Sequence, residues 1–398
     1  MKLRTPRYYA DFVCIADRCK DNCCRGGWQI EVDEETFEYY KSQKGPFAGE
    51  LLAALVSDGD SCYFNNSKGE CPMLDEKGLC RVYQEMGEEH MGTVCTQFPR
   101  FSEYFGDVKE TGVGLSCEEA ARLIFTGKLE DAVALTTSES DEEVYDDPEF
   151  EEDLAEAVFT LRSAYMAQLA NKNHPFGTTM AAVLLHANKC QLLINAGDYE
   201  AVLNEARQAN ALVEVDSFYS AQLETLLPAG AVSSYGSRNL ELVEPFTRLE
   251  NYSDAWEEEM SLLSDFLGRE PMLTGFATQM TDFERSLNGG EREDDYRKFV
   301  EYLLFRYMAG TCYSHDLLEN VKIAAVFYLL LRLMDMCRAK EKKAFMFEDR
   351  MEIIHLFSRE VEYSDENMEM LREELMFDEC FKTNSLISAL TNFEFRVI

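Results

Sequence analysis

The chain has 398 residues, 46% of them hydrophobic, so it can bury a large core and has room for about two domains. A formal net charge of -36 repels phosphate backbones and anionic lipid. That argues against nucleic acid or a membrane surface as a partner and favours a cationic one, with a merely solubilising acidic surface as the plain alternative.

Met1 to Arg4 is mildly basic, but Thr5, Pro6, Arg7 and Asp11 break up any secretory apolar segment. The longest strongly apolar run, Ile323 to Leu331, falls well short of the roughly 20 residues that a membrane span needs. A soluble, cytoplasmic protein is expected.

From Tyr8 to about Phe125 the chain is punctuated by Gly, Asn, Asp and Cys, with short periodic stretches at Thr36 to Tyr40 and Leu51 to Val56. Nine of the 13 cysteines fall here: Cys14, Cys19, Cys23, Cys24, Cys62, Cys71, Cys80, Cys95 and Cys117. Cytoplasmic thiols stay reduced, so this density points to ligation in place of a conventional core. Residues 1–136 are therefore expected to form an irregular, cysteine-rich metal-binding domain. Cys190, Cys312, Cys337 and Cys380 are scattered through helical sequence and read as small buried hydrophobes.

Cys14, Cys19, Cys23 and Cys24 arrive within one short loop that runs on through Arg25-Gly26-Gly27 to Trp28, so one turn can deliver several thiolates at little closure cost. Cys71, Cys80, Cys95 and Cys117 each stand near Gly, Pro or a polar turn residue, as backbone wrapping around a cluster requires. These eight could hold an iron-sulfur cluster or two tetrathiolate zinc ions. The paired two-residue knuckles of zinc ribbons are missing, which favours iron and sulfur. Buried reduced thiols and disulfides are the alternatives without metal. Among His90, His174, His186, His315 and His355 no ligand pair is recognisable, although His90 lies close to Cys95 and is an alternative ligand or a solvated helix-end residue.

Residues 137–153 form an acidic run with a proline and are expected to be a linker. Beyond it, residues 154–398 read as a helical domain, giving a mainly α fold. Apolar residues recur at helical spacing over Leu154–Leu169, Thr178–Ala196, Tyr199–Val213, Tyr252–Leu267, Gln279–Leu287, Tyr296–Met308, Leu317–Lys340, Phe347–Tyr363 and Asp365–Leu375. Ser233 to Asn239 reads as a loop and Asn288-Gly289-Gly290 as a break. The Leu317 segment is apolar on nearly every face, as a central buried helix would be. No Gly-x-Gly-x-x-Gly follows an expected strand, and Gly112-Val113-Gly114 is too short to count, so a nucleotide-binding Rossmann domain is unsupported. The cysteine spacing of radical adenosylmethionine enzymes is absent too.

The stretch Cys14 to Trp28, together with Cys71-Pro72-Met73-Leu74, Gly78-Leu79-Cys80, Cys95-Thr96-Gln97-Phe98-Pro99-Arg100 and Cys117-Glu118-Glu119-Ala120-Ala121-Arg122, resembles the flagellin lysine-N-methylase family (FliB). Its N-terminal part is similar to a broader group of zinc- or iron-chelating proteins with a Cys-x-x-Cys-x-x-Cys-Cys type motif. Tyr302-Leu303-Leu304-Phe305-Arg306-Tyr307 and Phe357 to Ser364 resemble C-terminal segments of the same family, although Tyr363-Ser364 stands where Glu-His-Ser is expected. Cys62 lies outside the family-like pattern.

The resemblance implies methyl transfer from S-adenosylmethionine to the ε-amine of flagellin lysines by a protein carrying a 4Fe-4S cluster. A lysine amine must lose its proton before it can attack a methyl sulfonium, so a carboxylate or phenol is needed beside it. Tyr302, Glu360, Glu362 and Tyr363 are family-like residues of that type. Arg306 and Arg359 suit the carboxylate end of the methyl donor, and Trp28 and Arg100 could stack on its adenine or line the substrate. Each of these also has a plain reading as a packing or salt-bridge residue. The competing function is a non-enzymatic, zinc-stabilised helical interaction protein; cluster-based electron transfer would leave the helical domain without a role.

Overall fold

The computed structural model describes residues 1–25, 28–58, 61–66, 69–132, 134–144, 147, 150–173, 175–211, 235–269, 283 and 293–392. Among these residues helix accounts for 67% and strand for 10%, so the expected mainly α class holds.

The N-terminal part is less irregular than its composition led us to expect. It contains β1 (Lys2–Pro6), α1 (Glu34–Ser42), α2 (Pro46–Ala53), β2 (Leu55–Asp58), β3 (Ser61–Phe64), α3 (Arg81–Met86), α4 (Thr93–Gln97), β4 (Arg100–Phe105), β5 (Val108–Val113), α5 (Glu118–Thr126), α6 (Leu129–Ala132) and β6 (Leu135–Glu139). Four of the strands form one sheet in the order β4-β5-β1-β6, and β2 pairs with β3 as a separate hairpin. These strands are short and rich in charged residues, so hydrophobic alternation does not announce them. Thr137 to Glu139, the start of the acidic run, lie in β6 against β1.

The sheet closes over a long sequence separation: β1 runs parallel to β5 with Arg4 opposite Glu110. Glu110 is buried and receives both Arg162 nitrogens, Nη1 to Oε2 at 2.7 Å and Nη2 to Oε1 at 2.5 Å, while Arg4 Nη1 lies 2.9 Å from Oε1. Arg162 comes from the first long helix, so this bidentate pair pins the sheet onto the helical layer.

That layer comprises α7 (Glu152–Leu169), α8 (Phe176–Asn195), α9 (Tyr199–Ala211), α10 (Tyr235–Val243), α11 (Asp254–Arg269), α12 (Glu293–Tyr307), α13 (Thr311–Ser314), α14 (Leu317–Lys342), α15 (Phe347–Phe357), α16 (Asp365–Phe377) and α17 (Thr383–Asn392). As expected, α14 is central: nearly every side chain from Leu317 to Cys337 is buried. Its start is fixed by the Asp316 carboxylate, which accepts the Glu319 amide at 2.8 Å.

Three expectations change. Tyr235 to Asn239 begin α10 rather than a loop, and Ser233 and Ser234 lie outside the described residues. The Leu51–Val56 stretch divides between α2 and β2. Phe347 to Tyr363 is not one α-helix: α15 ends at Phe357 and a π-helical turn covers Ser358–Glu362, with the Tyr363 amide donating to Ser358 O at 3.2 Å. The helix expected over Gln279–Leu287 (Phe283 excepted), the Asn288–Gly290 break and Gly26–Gly27 lie outside the described residues.

Two cores result. Sheet residues such as Phe105 and Val113 share the large core of the helices, whereas Ile30, Val32, Tyr40, Leu51, Phe64, Met73 and Val82 form a small core of their own. Most of the cysteine-bearing loops surround that second core.

Candidate functional site

The eight cysteines fall into two neighbourhoods. Cys71, Cys80 and Cys95 each lie close enough to Cys24 to feel its charge, and Cys95 also feels Cys71 and Cys80. Cys23 hydrogen-bonds its neighbour Cys24 and thereby raises the Cys24 thiol, with burial adding to the effect. Cys14, Cys19 and Cys117 form the other neighbourhood, in which Cys19 Sγ donates to Glu118 Oε2 at 3.3 Å.

Burial pushes Cys71 and Cys95 up to about 12, and it raises Cys80 and Cys117 as well. Backbone amides oppose it: Met73 at Cys71, Tyr83 and Val82 at Cys80, Ala120 and Glu119 at Cys117. A bound cation would invert the balance, because buried thiolates that repel one another become ligands. The donor set around Cys24, Cys71, Cys80 and Cys95 thus suits a metal centre in kind: soft sulfur donors from separate segments, with amides turned towards several of them. Among the described residues, no three His, Cys, Asp or Glu side chains already close into a cage for a single ion. His90 stacks on Tyr39 with ring centroids 3.9 Å apart, and Cys62 is buried on β3.

The family-like residues of the helical domain converge on one polar node between α12, the π-helical turn and β4. Glu362 Oε1 accepts from Tyr307 Oη at 2.9 Å and from Tyr302 Oη at 3.2 Å. Arg306 Nη1 donates to Tyr302 Oη at 3.0 Å, and its Nε lies 3.6 Å from Glu362 Oε1. The guanidinium carbon sits over three rings, 4.6 Å from the centroid of Phe101, 5.1 Å from Tyr363 and 5.5 Å from Tyr307. Glu362 has only 5% of its surface exposed, and its Oε2 has no hydrogen-bond partner.

Burial raises the Tyr302 and Tyr307 phenols, and Glu362 adds to the rise while Arg306 opposes it. Arg306 resists its own burial because Tyr302, Tyr307 and Glu362 hold it charged.

Tyr363 closes this node towards the thiol domain. Its hydroxyl donates to Pro99 O at 3.1 Å, its ring packs edge-on to Phe98 with centroids 5.7 Å apart, and Phe98 lies 5.5 Å from Trp28. A Cβ on Gly114 would collide with the Tyr363 hydroxyl, and one on Gly112 with the Phe101 ring. The short glycine motif thus serves close approach of rings to backbone and not phosphate binding.

Glu360 and Arg359 belong to a second node. Glu360 Oε2 accepts from the Tyr252 amide at 2.7 Å and Oε1 from Ser253 Oγ at 2.6 Å. Arg359 Nη1 donates to Asp21 Oδ2 at 2.7 Å and Nη2 to Ser253 Oγ at 2.9 Å, and His355 Nε2 lies 2.9 Å from that same Asp21 oxygen. The π-helical turn therefore points Glu360 and Glu362 at different partners, as an inserted residue in a helix can. Arg100 stands elsewhere, with Nη1 3.3 Å from Thr96 O and its guanidinium 5.2 Å from the Phe12 ring centroid.

Of the residues named from sequence, Tyr302, Arg306, Glu362 and Tyr363 come together, with Trp28 reached through Phe98. Phe101 and Asp21 were missed, and Gly112, Gly114 and His355 were weighed only for phosphate or metal binding. Only pairing across long sequence separations reveals them.

Residues 162–389, more than half the chain, match the family model described as the FliB lysine N-methylase C-terminal domain. The lysine-N-methylases of Salmonella typhimurium (strain LT2) and Salmonella choleraesuis (strain SC-B67) are each 29% identical over 138 residues, which is 33% of this chain and 34% of each of theirs. The flagellar biosynthetic protein FliU of Salmonella muenchen is 29% identical over 142 residues, 34% of this chain and 82% of that protein. The matched part thus spans about a third of the length of the lysine-N-methylases, 34%. No solved structure matches. The matched region contains Tyr302, Arg306, Tyr307, Glu362 and Tyr363 of the node but not Phe101, and the chain belongs to the FliB lysine N-methylase C-terminal domain family.

Proposed function

We propose that this protein is a protein-lysine N-methyltransferase that takes its methyl group from S-adenosylmethionine, acts on lysine side chains of flagellin and carries a 4Fe-4S cluster. Family membership and the names of the relatives, lysine-N-methylase and flagellar biosynthetic protein, support this reading. The observation that carries it is the buried, unpartnered oxygen of Glu362, set beside phenols and rings of which Phe101, Tyr307 and Tyr363 are only partly buried.

A lysine ammonium entering there gives a proton to Glu362 Oε2, while Tyr302 and Tyr307 hold the other oxygen in place. The amine lone pair then forms the N–C bond, and the methyl–sulfur bond breaks with its electron pair left on sulfur. The proton leaves from Glu362 to solvent. An acidic surface of net charge -36 favours the encounter with a cationic side chain.

Cys24, Cys71, Cys80 and Cys95 are the thiols that would hold the cluster. When bound, the cluster would supply iron–thiolate bonds tying four segments together and a one-electron redox centre. The same four thiols also suit a tetrahedral zinc ion, which would make the N-terminal part a structural support.

Protein purified without oxygen should be brown, and it should move labelled methyl from adenosylmethionine onto lysines of flagellin. A colourless zinc protein with no transfer would favour the interaction-protein alternative.

A further inference from the structure

The ring cage around Arg306 already holds a cation, and its chemistry is unusual for a simple salt bridge. A guanidinium that needed only neutralising would take both oxygens of Glu362, yet Oε2 is unpartnered and the contacts are dominated by the faces of Phe101, Tyr307 and Tyr363. Ring faces attract cations through their quadrupoles, and most strongly cations that shed water easily. A bare ammonium is tightly hydrated; each added methyl lowers that cost and adds apolar surface that matches the rings. The cage is not sealed, since Phe101, Arg306, Tyr307 and Tyr363 are only partly buried. Glu103, exposed on β4, lies near enough to Arg306 to feel its charge, so the guanidinium has an acidic neighbour towards solvent.

We propose that Phe101, Tyr307 and Tyr363, with Glu362 as the floor, form a receptor for an N-methylated lysine side chain, and that Arg306 is the internal cation occupying this seat until the ligand displaces it. The inference rests on reading this node as the place where a lysine is met, and it adds that the methylated product is held more tightly than the substrate. Retention of that kind lets one lysine stay for a further methyl group. A sulfonium is also a methylated cation, so the methyl donor is the competing source of the same chemistry.

Binding, not turnover, tests this, so a protein inactive in methyl transfer still decides it. Full-length wild type and Arg306→Ala are titrated calorimetrically with N-acetyl-lysine amides carrying zero to three methyl groups. The other ligands are the neutral 5,5-dimethylhexyl isostere of the trimethylated side chain and S-adenosylmethionine. In Arg306→Ala the trimethylated ligand should bind about tenfold or more tighter than the unmethylated one and than the neutral isostere. Wild type should bind it about tenfold more weakly than Arg306→Ala, because the internal cation competes. Adding Tyr363→Leu should abolish the preference. If removing Arg306 alone leaves Glu362 an unpaired buried charge that prevents folding, Arg306→Ala combined with Glu362→Gln removes both charges and is read in the same way. Affinity independent of methylation, equal binding of the isostere, or a seat taken by the sulfonium alone overturns the assignment.

Discussion

Asp21 lies in the loop between Cys19 and Cys23, yet its carboxylate accepts from Arg359 Nη1 at 2.7 Å, so the thiol-rich loop is docked directly on the π-helical turn that carries Glu360 and Glu362. His355 reaches the same oxygen at 2.9 Å.

Asp21→Ala removes this clasp but leaves Arg359 with Glu360 and Ser253. The expected cost is modest, about 1–3 kcal/mol, the range for a charge-assisted hydrogen bond. Limited proteolysis should cut the segment between Cys14 and Arg25 faster in the variant, with the helical domain intact. Unchanged cleavage would show that the loop is held by other contacts.

The two buried glutamates of the turn should behave differently. Glu362→Gln should lower kcat/KM for methyl transfer by roughly 100-fold or more, as loss of a positioned proton acceptor does, when assayed at a temperature where the variant is fully folded. Glu360→Gln should chiefly lower the melting temperature, because it strips a charge from Arg359, Ser253 and the Tyr252 amide. Equal losses of activity in both would mean that the nodes act as one.

Gly114→Ala places a methyl group against the Tyr363 hydroxyl. Tyr363 must then give up Pro99 O or shift away from Arg306, at a cost of about 1–3 kcal/mol. Activity should fall more steeply than stability, measured as kcat/KM against the midpoint of urea unfolding. A Tyr363→Phe variant, lacking the hydroxyl, should tolerate the same alanine better.

Acid should loosen the small core through Asp33. Burial raises its carboxyl, but the Thr93 and Thr36 amides, which donate at 2.8 and 3.0 Å, outweigh that and hold it well below the ordinary value of 3.8. Its stabilisation is therefore complete above about 3.8 and is lost as pH falls through the depressed folded value. Asp33→Ala should cost about 0.5–2 kcal/mol at neutral pH, as loss of a helix cap does. The gap to wild type should close progressively in strong acid, as followed by thermal unfolding. A gap that stays constant down to pH 2 would contradict the role of the charge.

Much of the helical domain was legible because periodicity states burial directly: the Leu317 segment is apolar on nearly every face and is indeed the central helix. The sheet was not, because β1 and β5 are paired across about a hundred residues and Glu110, an ordinary surface residue by type, is buried against Arg162 and Arg4. Likewise, the family resemblance picked out Glu360 and Glu362 together, but a π-helical turn divides them between two nodes, and helical spacing carries no sign of that inserted residue. Gly112 and Gly114 looked like a failed phosphate motif. Their meaning lies in Phe101 and Tyr363, which only the folded chain brings against them.

The most direct measurement is the intact mass of flagellin after incubation with S-adenosylmethionine and the protein purified without oxygen, run in parallel with Glu362→Gln. Wild type should add about 14 mass units per methyl group, on lysines alone, and Glu362→Gln should leave nearly all flagellin unmodified. Flagellin of unchanged mass with wild type purified without oxygen, or equal modification by both proteins, would contradict the assignment of methyl transfer to this site.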